Sequence, residues 1–211
     1  PLPDSPLGAE IQLASLPNAP TPEQVRLGRW LFYDTRLSAD GTIACATCHR
    51  PEHAFSEPTP HSTGIRGQQG GRKSPSFINA AVTLYPHFFW DGRAHSLREQ
   101  ALIPIQDHQE MDETLYNVVK KLGKTSGEHF VRAFDSPEVT PERIGLALEN
   151  FLLTLTSHDS KFDRVMRGEG KLSAEEQRGF ELGAADFIHK PIRAAVALSR
   201  IRAQIDARTA R

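Results

Sequence analysis

Cys45-Ala46-Thr47-Cys48-His49 constrains this chain more than any other stretch. Two cysteines three residues apart, followed at once by a histidine, form the pattern that attaches haem covalently. The thiols add across the two vinyl groups, and the adjacent imidazole becomes the proximal ligand of the iron. One haem c bound by Cys45, Cys48 and His49 is therefore expected, with His49 as the metal ligand. Two other chemistries use the same residues. A thioredoxin-like Cys-x-x-Cys wants a βαβ context, which these flanks lack. A zinc site would recruit Cys45, Cys48 and one of His49 or His53, but adjacent Cys48 and His49 would strain tetrahedral closure.

The chain has 211 residues, room for one fair-sized core or two small cytochrome-like domains, and its apolar and charged fractions are those of a soluble globule. The formal charge is −1, and no basic tract is interleaved with aromatics, so nucleic acid is not an expected partner. The motif uses both cysteines, leaving none for a structural disulfide. No apolar run is long enough for a membrane span. The numbering starts at Pro1 without an initiator Met, as in a processed export product or a trimmed chain. Because c-type haem is attached outside the bacterial cytoplasm, the expected location is periplasmic.

Residues 1–20 hold five prolines and little periodicity, and read as an extended arm. Thr21-Pro22-Glu23-Gln24 predicts a helix start with a capping box, followed by Leu27, Trp30 and Leu31 on one face. Asp40-Gly41 marks a turn into the cysteine motif. From Arg50 to Gly71 turn formers replace helical period, which predicts a long loop over the distal side of the haem. His53 and His61 lie in it, and both read first as solvated imidazoles. Phe88-Phe89-Trp90-Asp91-Gly92-Arg93 reads as an aromatic turn, and Ser96 with Glu99 predicts a short helix ending before Pro104. A polar loop then carries Glu110 beside Met111.

Taken together, these blocks resemble a known family. Leu27-Gly28-x-x-Leu31-Phe32-Tyr33-Asp34-x-Arg36-Leu37-Ser38, the haem motif, Arg72-x-x-Pro75-Ser76, Phe89-Trp90-Asp91-Gly92-Arg93-Ala94, Glu99-Gln100-Ala101 and Glu110-Met111 occur in this order. They resemble the N-terminal, peroxidatic half of the bacterial di-haem cytochrome c peroxidase and MauG family, from about residue 21 to 180. The resemblance implies an all-α, cytochrome c-like haem domain with long irregular loops. It implies His49 as proximal ligand, Glu110 as distal acid/base, Gln100 lining the same pocket and Trp90 as an aromatic relay between haems. A carboxylate above the iron would take a proton from hydrogen peroxide and deliver it to the departing oxygen. The implied partners are hydrogen peroxide and a small electron-donor protein, a cytochrome c or a cupredoxin.

Two departures refine that expectation. Some members carry a distal His just after the loop glycine, whereas Gly64 is followed here by Ile65, so the distal face is expected to be free of ligand unless His61 reaches in. The Arg-Asn-x-Pro block that supplies a calcium ligand in relatives reads Arg72-Lys73-Ser74-Pro75, so calcium is not expected.

Beyond Met111 the pattern is helical. Asp112 is expected to cap a segment with Leu115, Val118, Val119 and Leu122 on one face, stopped by Gly123. Phe130, Val131 and Phe134 continue an apolar face. Thr140-Pro141 opens the longest helix, with Ile144, Leu148, Phe151, Leu152 and Leu155 as its stripe. The haem domain is expected over 21–178, and residues 179–211 diverge from the family. Where relatives run on to a second Cys-x-x-Cys-His, this chain reads Gly183-Ala184-Ala185-Asp186-Phe187-Ile188-His189-Lys190-Pro191, so the second haem domain is expected to be missing. That tail resembles the end of a response-regulator receiver domain, as a fusion or frameshift would produce.

Three functional readings follow. The first is a periplasmic peroxidase-like oxidoreductase that reduces hydrogen peroxide or uses it to oxidise a protein substrate. The second is a single-haem electron carrier with Met111 or Met166 on the iron, since His/Met ligation raises the potential and blocks peroxide. The third is an inactive remnant of a di-haem enzyme.

Overall fold

Thr21 starts the first helix as its sequence predicts. Its Oγ1 accepts from the Gln24 N–H at 3.2 Å, Gln24 Oε1 accepts from the Thr21 N–H at 3.5 Å, and Pro22 takes the first position, so α1 runs Pro22–Phe32. The computed structural model describes residues 18–82 and 87–181, so most of the proline-rich arm and the receiver-like tail lie outside the described residues. The other helices are α2 (Cys45–Cys48), α3 (Leu97–Gln106), α4 (Leu115–Gly123), α5 (Gly127–Phe134), α6 (Pro141–Leu153), α7 (Lys161–Met166) and α8 (Ala174–Glu181). Among the described residues there is no strand, only isolated bridges joining Arg50 to Ser56, Thr63 to Gln69 and Phe88 to Ala94. The all-α class with long irregular loops is the observed one.

The core is built where α6 crosses α1 and α3. Leu27, Leu31 and Phe32 of α1 meet Ile144, Ala147, Leu148, Phe151 and Leu152 of α6, all buried. Each large side chain removed from water contributes roughly 1.5–3 kcal/mol. The approach is close because Gly28 has no side chain: a Cβ there would sit 1.8 Å from the Ala147 carbonyl oxygen. On the other face of α6, Gly145 lies against Arg98 and Leu102 of α3, and Arg98 Nη2 pairs with Glu149 at 2.6 Å. Val118 and Leu122 of α4 and Phe130 of α5 close the core.

Three local expectations are corrected. Helix α3 does not stop before Pro104 but continues to Gln106. Proline there cannot donate to the Gln100 carbonyl and crowds it, but the turn beyond is sustained by the Asp107 N–H donating to the Ile103 carbonyl at 3.2 Å. The cap of α4 is Thr114, whose Oγ1 accepts from the Asn117 N–H, and not Asp112. Asp112 has φ +49° and its carboxylate is held by Arg66 at 2.6 Å. Val131 is exposed, so the apolar face of α5 consists of Phe130, Ala133 and Phe134.

Two long-range ties bring the loops onto this helical frame. Lys121 Nζ donates to the carbonyls of Arg36 and Ser38 at 3.3 and 2.7 Å and pairs with buried Glu113 at 2.5 Å, fixing the turn after α1. The loop at Gly64 lies directly on residues 109–110, and the Ile65 N–H donates to the Glu110 carbonyl at 2.8 Å. Ile65 itself is fully buried.

Candidate active site

The single turn α2 puts Cys45 and Cys48 on one side, as an i, i+3 pair must be. Both are free thiols, and burial pushes Cys45 up to about 12 and Cys48 up to about 11. Their remaining accessibility is intermediate and both line a cavity of about 280 Å³, so they are desolvated by protein yet face an internal space. His49, which follows the turn, lines the same cavity. Its Nδ1 lies 3.0 Å from the Phe55 carbonyl oxygen. A carbonyl only accepts, so Nδ1 carries the proton and Nε2 is the bare nitrogen. Burial pulls the imidazole down to about 4, which keeps it neutral as a metal ligand must be. Phe77 lies against the ring with centroids 4.1 Å apart.

The carbonyl that orients His49 is delivered by strained backbone. Ala54 and Phe55 have φ +56° and +55°, a left-handed pair that costs energy for an aromatic residue. The excursion is held by Phe55 N–H donating to the Arg50 carbonyl at 2.8 Å and Arg50 N–H to the Ser56 carbonyl at 2.9 Å. No pattern in the sequence marks Phe55 for this role; the residue six positions after His49 is found only by following the chain back.

Polar side chains border the same cavity. Gln100 from α3 and Glu110 from the loop after it both line the space, together with Trp90, Arg93, Asp107 and Met111. Burial raises the Glu110 carboxyl above the ordinary range, nearby Asp107 raises it further, and Arg93 opposes both. Gln100 is buried and its Oε1 has no hydrogen-bond partner among the described residues. Trp90 is half exposed at the rim, its Nε1 donating to the Lys73 carbonyl at 2.8 Å. The six residues expected at the site thus border one cavity. Arg93 and Asp107 act on the charge of Glu110, and nothing in their sequence pattern marks them for that role.

The other ligand candidates separate cleanly. His61 is exposed, its Nδ1 lies 3.2 Å from the Gly70 carbonyl oxygen, and it is not among the cavity residues. His53 is likewise exposed, and Met166 is exposed on α7. Met111 is buried, lines the cavity and has its backbone fixed by Pro104 and Ala39. Among the described residues no group of three or more His, Cys, Asp or Glu side chains could hold a bare metal ion, which leaves the zinc reading without a ligand set.

Sequence and structural comparisons agree on one relationship. The family model for di-haem cytochrome c peroxidase matches residues 22–171. The chain belongs to the di-haem cytochrome c peroxidase family. It is 37% identical over 170 residues to the methylamine utilization protein MauG of Methylophilus methylotrophus, covering 79% of this chain and 50% of the relative. Over 171 residues it is 37% identical to the cytochrome c551 peroxidase of Nitrosomonas europaea, covering 78% and 50%. The crystal structure of a MauG-like protein associated with microbial copper homeostasis superposes with a TM-score of 0.69 at 28% identity, covering 86% of this chain and 52% of that one. The diheme peroxidase BthA of Burkholderia thailandensis gives 0.67 at 26%, covering 81% and 48%. The chain spans about half the length of the curated relatives it matches. The family match ends at residue 171, and the receiver-like tail finds no counterpart in it.

The cavity fits a covalently held haem on its own atoms. Two free thiols face it from one helical turn, an imidazole presents a bare Nε2, and the apolar wall includes Phe32, Ile43, Phe77, Leu148 and Leu152. Gln100 Oε1, without a hydrogen-bond partner among the described residues, belongs to a residue of the same lining, where a ligand or ordered water would satisfy it.

Proposed function

We propose that this chain carries one covalent haem c and forms the peroxide-reacting half of a periplasmic cytochrome c peroxidase-like enzyme. The observation that carries the reading is one cavity bordered by the two thiols, the imidazole and a carboxyl of raised pKa. Cys45 and Cys48 tether the cofactor and His49 Nε2 holds its iron. The haem, when bound, supplies the redox chemistry that passes two electrons to hydrogen peroxide, which with two protons gives two waters. Glu110 accepts the proton of the peroxide oxygen that stays behind and returns it to the oxygen that departs as water. A buried carboxyl of raised pKa suits both transfers better than a solvated one. Gln100 orients the peroxide by hydrogen bonding, using the amide oxygen that has no internal partner. Trp90, at the rim, offers an aromatic step from the cavity to the surface for electrons from a cytochrome c or a cupredoxin. Use of the same oxidising power on a protein substrate is the MauG-like variant of this activity.

Denaturing electrophoresis with haem staining tests the attachment. The wild-type band should stain, and Cys45→Ala combined with Cys48→Ala should abolish the stain; a stained double variant would remove the assignment. The electron-carrier reading is retained on one observation, that Met111 borders the same cavity as Glu110. A sulfur-to-iron charge-transfer band in the ferric spectrum, lost in Met111→Leu, would select it, and its absence selects the peroxidase.

A further inference from the structure

Phe88 and Ala94 close a small hairpin: the Phe88 N–H donates to the Ala94 carbonyl at 2.8 Å and the Ala94 N–H returns to the Phe88 carbonyl at 3.4 Å. Residues 87 and 95 form the next facing pair outward, the non-hydrogen-bonded kind in which opposed side chains come closest. Both are histidines and both are exposed. Their ring centroids are 5.1 Å apart at 72°, and Nδ1 lies 3.2 Å from Nδ1. We propose that His87 and His95 form a two-histidine site for a divalent transition-metal ion of the zinc(II) or copper(II) class, clamping the base of the hairpin whose tip carries Trp90.

The separation of the two nitrogens suits one ion between them. With metal–nitrogen bonds of about 2.0–2.1 Å and a tetrahedral angle, two ligating nitrogens sit roughly 3.3 Å apart, close to the spacing present without any ion. Imidazole nitrogen is the donor that zinc(II) and copper(II) prefer, whereas hard cations such as calcium would select oxygen. Ligation needs Nδ1 bare on both rings and Nε2 protonated, a tautomer that solvent satisfies because both rings are exposed. The pair is also braced from outside: Glu99 Oε2 accepts from the His95 backbone N–H at 2.7 Å, which fixes that side of the hairpin to the start of α3. Neither histidine borders the haem cavity, so the site is distinct from the peroxide chemistry. Among the described residues two protein ligands are present, and the remaining positions are assigned to water. The ion is therefore exchangeable, and its effect is on the hairpin: holding residues 87 and 95 together restrains Phe89, Trp90 and Arg93, all of which border the cavity.

Isothermal calorimetry with zinc(II) on the full chain as isolated tests this. The wild type is expected to bind one equivalent that His87→Ala and His95→Ala both weaken by at least about tenfold, since even an outer-sphere partner of a ligand is worth roughly 10–100-fold in affinity. The double variant should be no weaker than either single variant, because removing one ligand already dismantles the site, and His53→Ala should bind as the wild type does. Amide exchange across residues 88–94 should slow on adding zinc(II) in the wild type alone. Zinc isotherms that do not differ between the wild type and the two single variants would overturn the proposal and leave the pair as a hydrogen bond between one protonated and one bare nitrogen.

Discussion

Gly64→Ala probes how the distal loop is positioned. A Cβ on Gly64 would lie 1.8 Å from the Gln109 carbonyl oxygen, 2.7 Å from its carbon and 2.9 Å from the Glu110 Cα. All three are backbone atoms, so no rotamer change relieves the overlap and the two segments must part. Parting breaks the 2.8 Å bond from the Ile65 N–H to the Glu110 carbonyl and withdraws the fully buried Ile65 side chain. Overpacking costs about 1–3 kcal/mol and the lost hydrogen bond about 0.5–1.5, so Gly64→Ala should destabilise by about 2–4 kcal/mol. Gly71→Ala is the control, because a Cβ there meets nothing within 4 Å. Urea unfolding of both variants gives the difference, provided the slope with denaturant is unchanged. Because the displaced segment carries Glu110, the peroxide reaction of Gly64→Ala should slow as well. A Gly64→Ala protein within about 0.5 kcal/mol of Gly71→Ala, reacting with peroxide at the wild-type rate, would refute the reasoning.

Lys121→Ala should cost about 1–3 kcal/mol, because it removes the cation from the Glu113 carboxylate and releases the turn at residues 36–38; adding Glu113→Gln should recover part of it in urea melts. Burial alone would raise the Glu113 pKa, but hydrogen bonds from Lys121, Asn117 and the Thr114 N–H hold it below the ordinary 4.5. The pair's contribution is therefore present above that value and lost as pH falls through the lower folded one, so the wild type and Lys121→Ala should converge on acidification. Gln100→Leu removes a buried oxygen with no internal partner, a group that costs about 1–3 kcal/mol when unsatisfied. That variant should be at least as stable as the wild type in thermal melts while losing peroxide reactivity, and a destabilised, fully reactive variant would assign Gln100 to the scaffold.

Signals of short range were legible in the sequence. The capping box of Thr21 and Gln24, the Thr140-Pro141 start of α6 and the stripe Ile144, Leu148, Phe151 and Leu152 are as patterned, because each depends on residues within one or two turns, whereas Leu155 falls beyond the end of α6 at Leu153. Where distant partners compete, the pattern fails. Asp112 and Thr114 are both good capping residues, and Arg66, which holds Asp112, is 46 positions away. Pro104 reads as a stop, but α3 needed only one more turn before the chain left for Glu110. At the site, the chemistry-bearing side chains were readable from motif and resemblance. Their supports were not: the Phe55 carbonyl beside His49 depends on two left-handed residues, and the electrostatics of Glu110 depend on Arg93, 17 positions back, as well as on Asp107 in its own turn.

On the proposed function, Glu110 moves the proton of peroxide beside a haem held by Cys45, Cys48 and His49. Stopped-flow mixing of the ferric protein with hydrogen peroxide, comparing the wild type with Glu110→Gln across pH, tests it most directly. With haem content unchanged, the glutamine variant should react about 10²–10⁴ times more slowly. The wild-type rate should rise with pH through a pKa above the ordinary carboxylate range, and the variant should lack that rise. An unchanged rate with the same pH profile in Glu110→Gln would contradict the account.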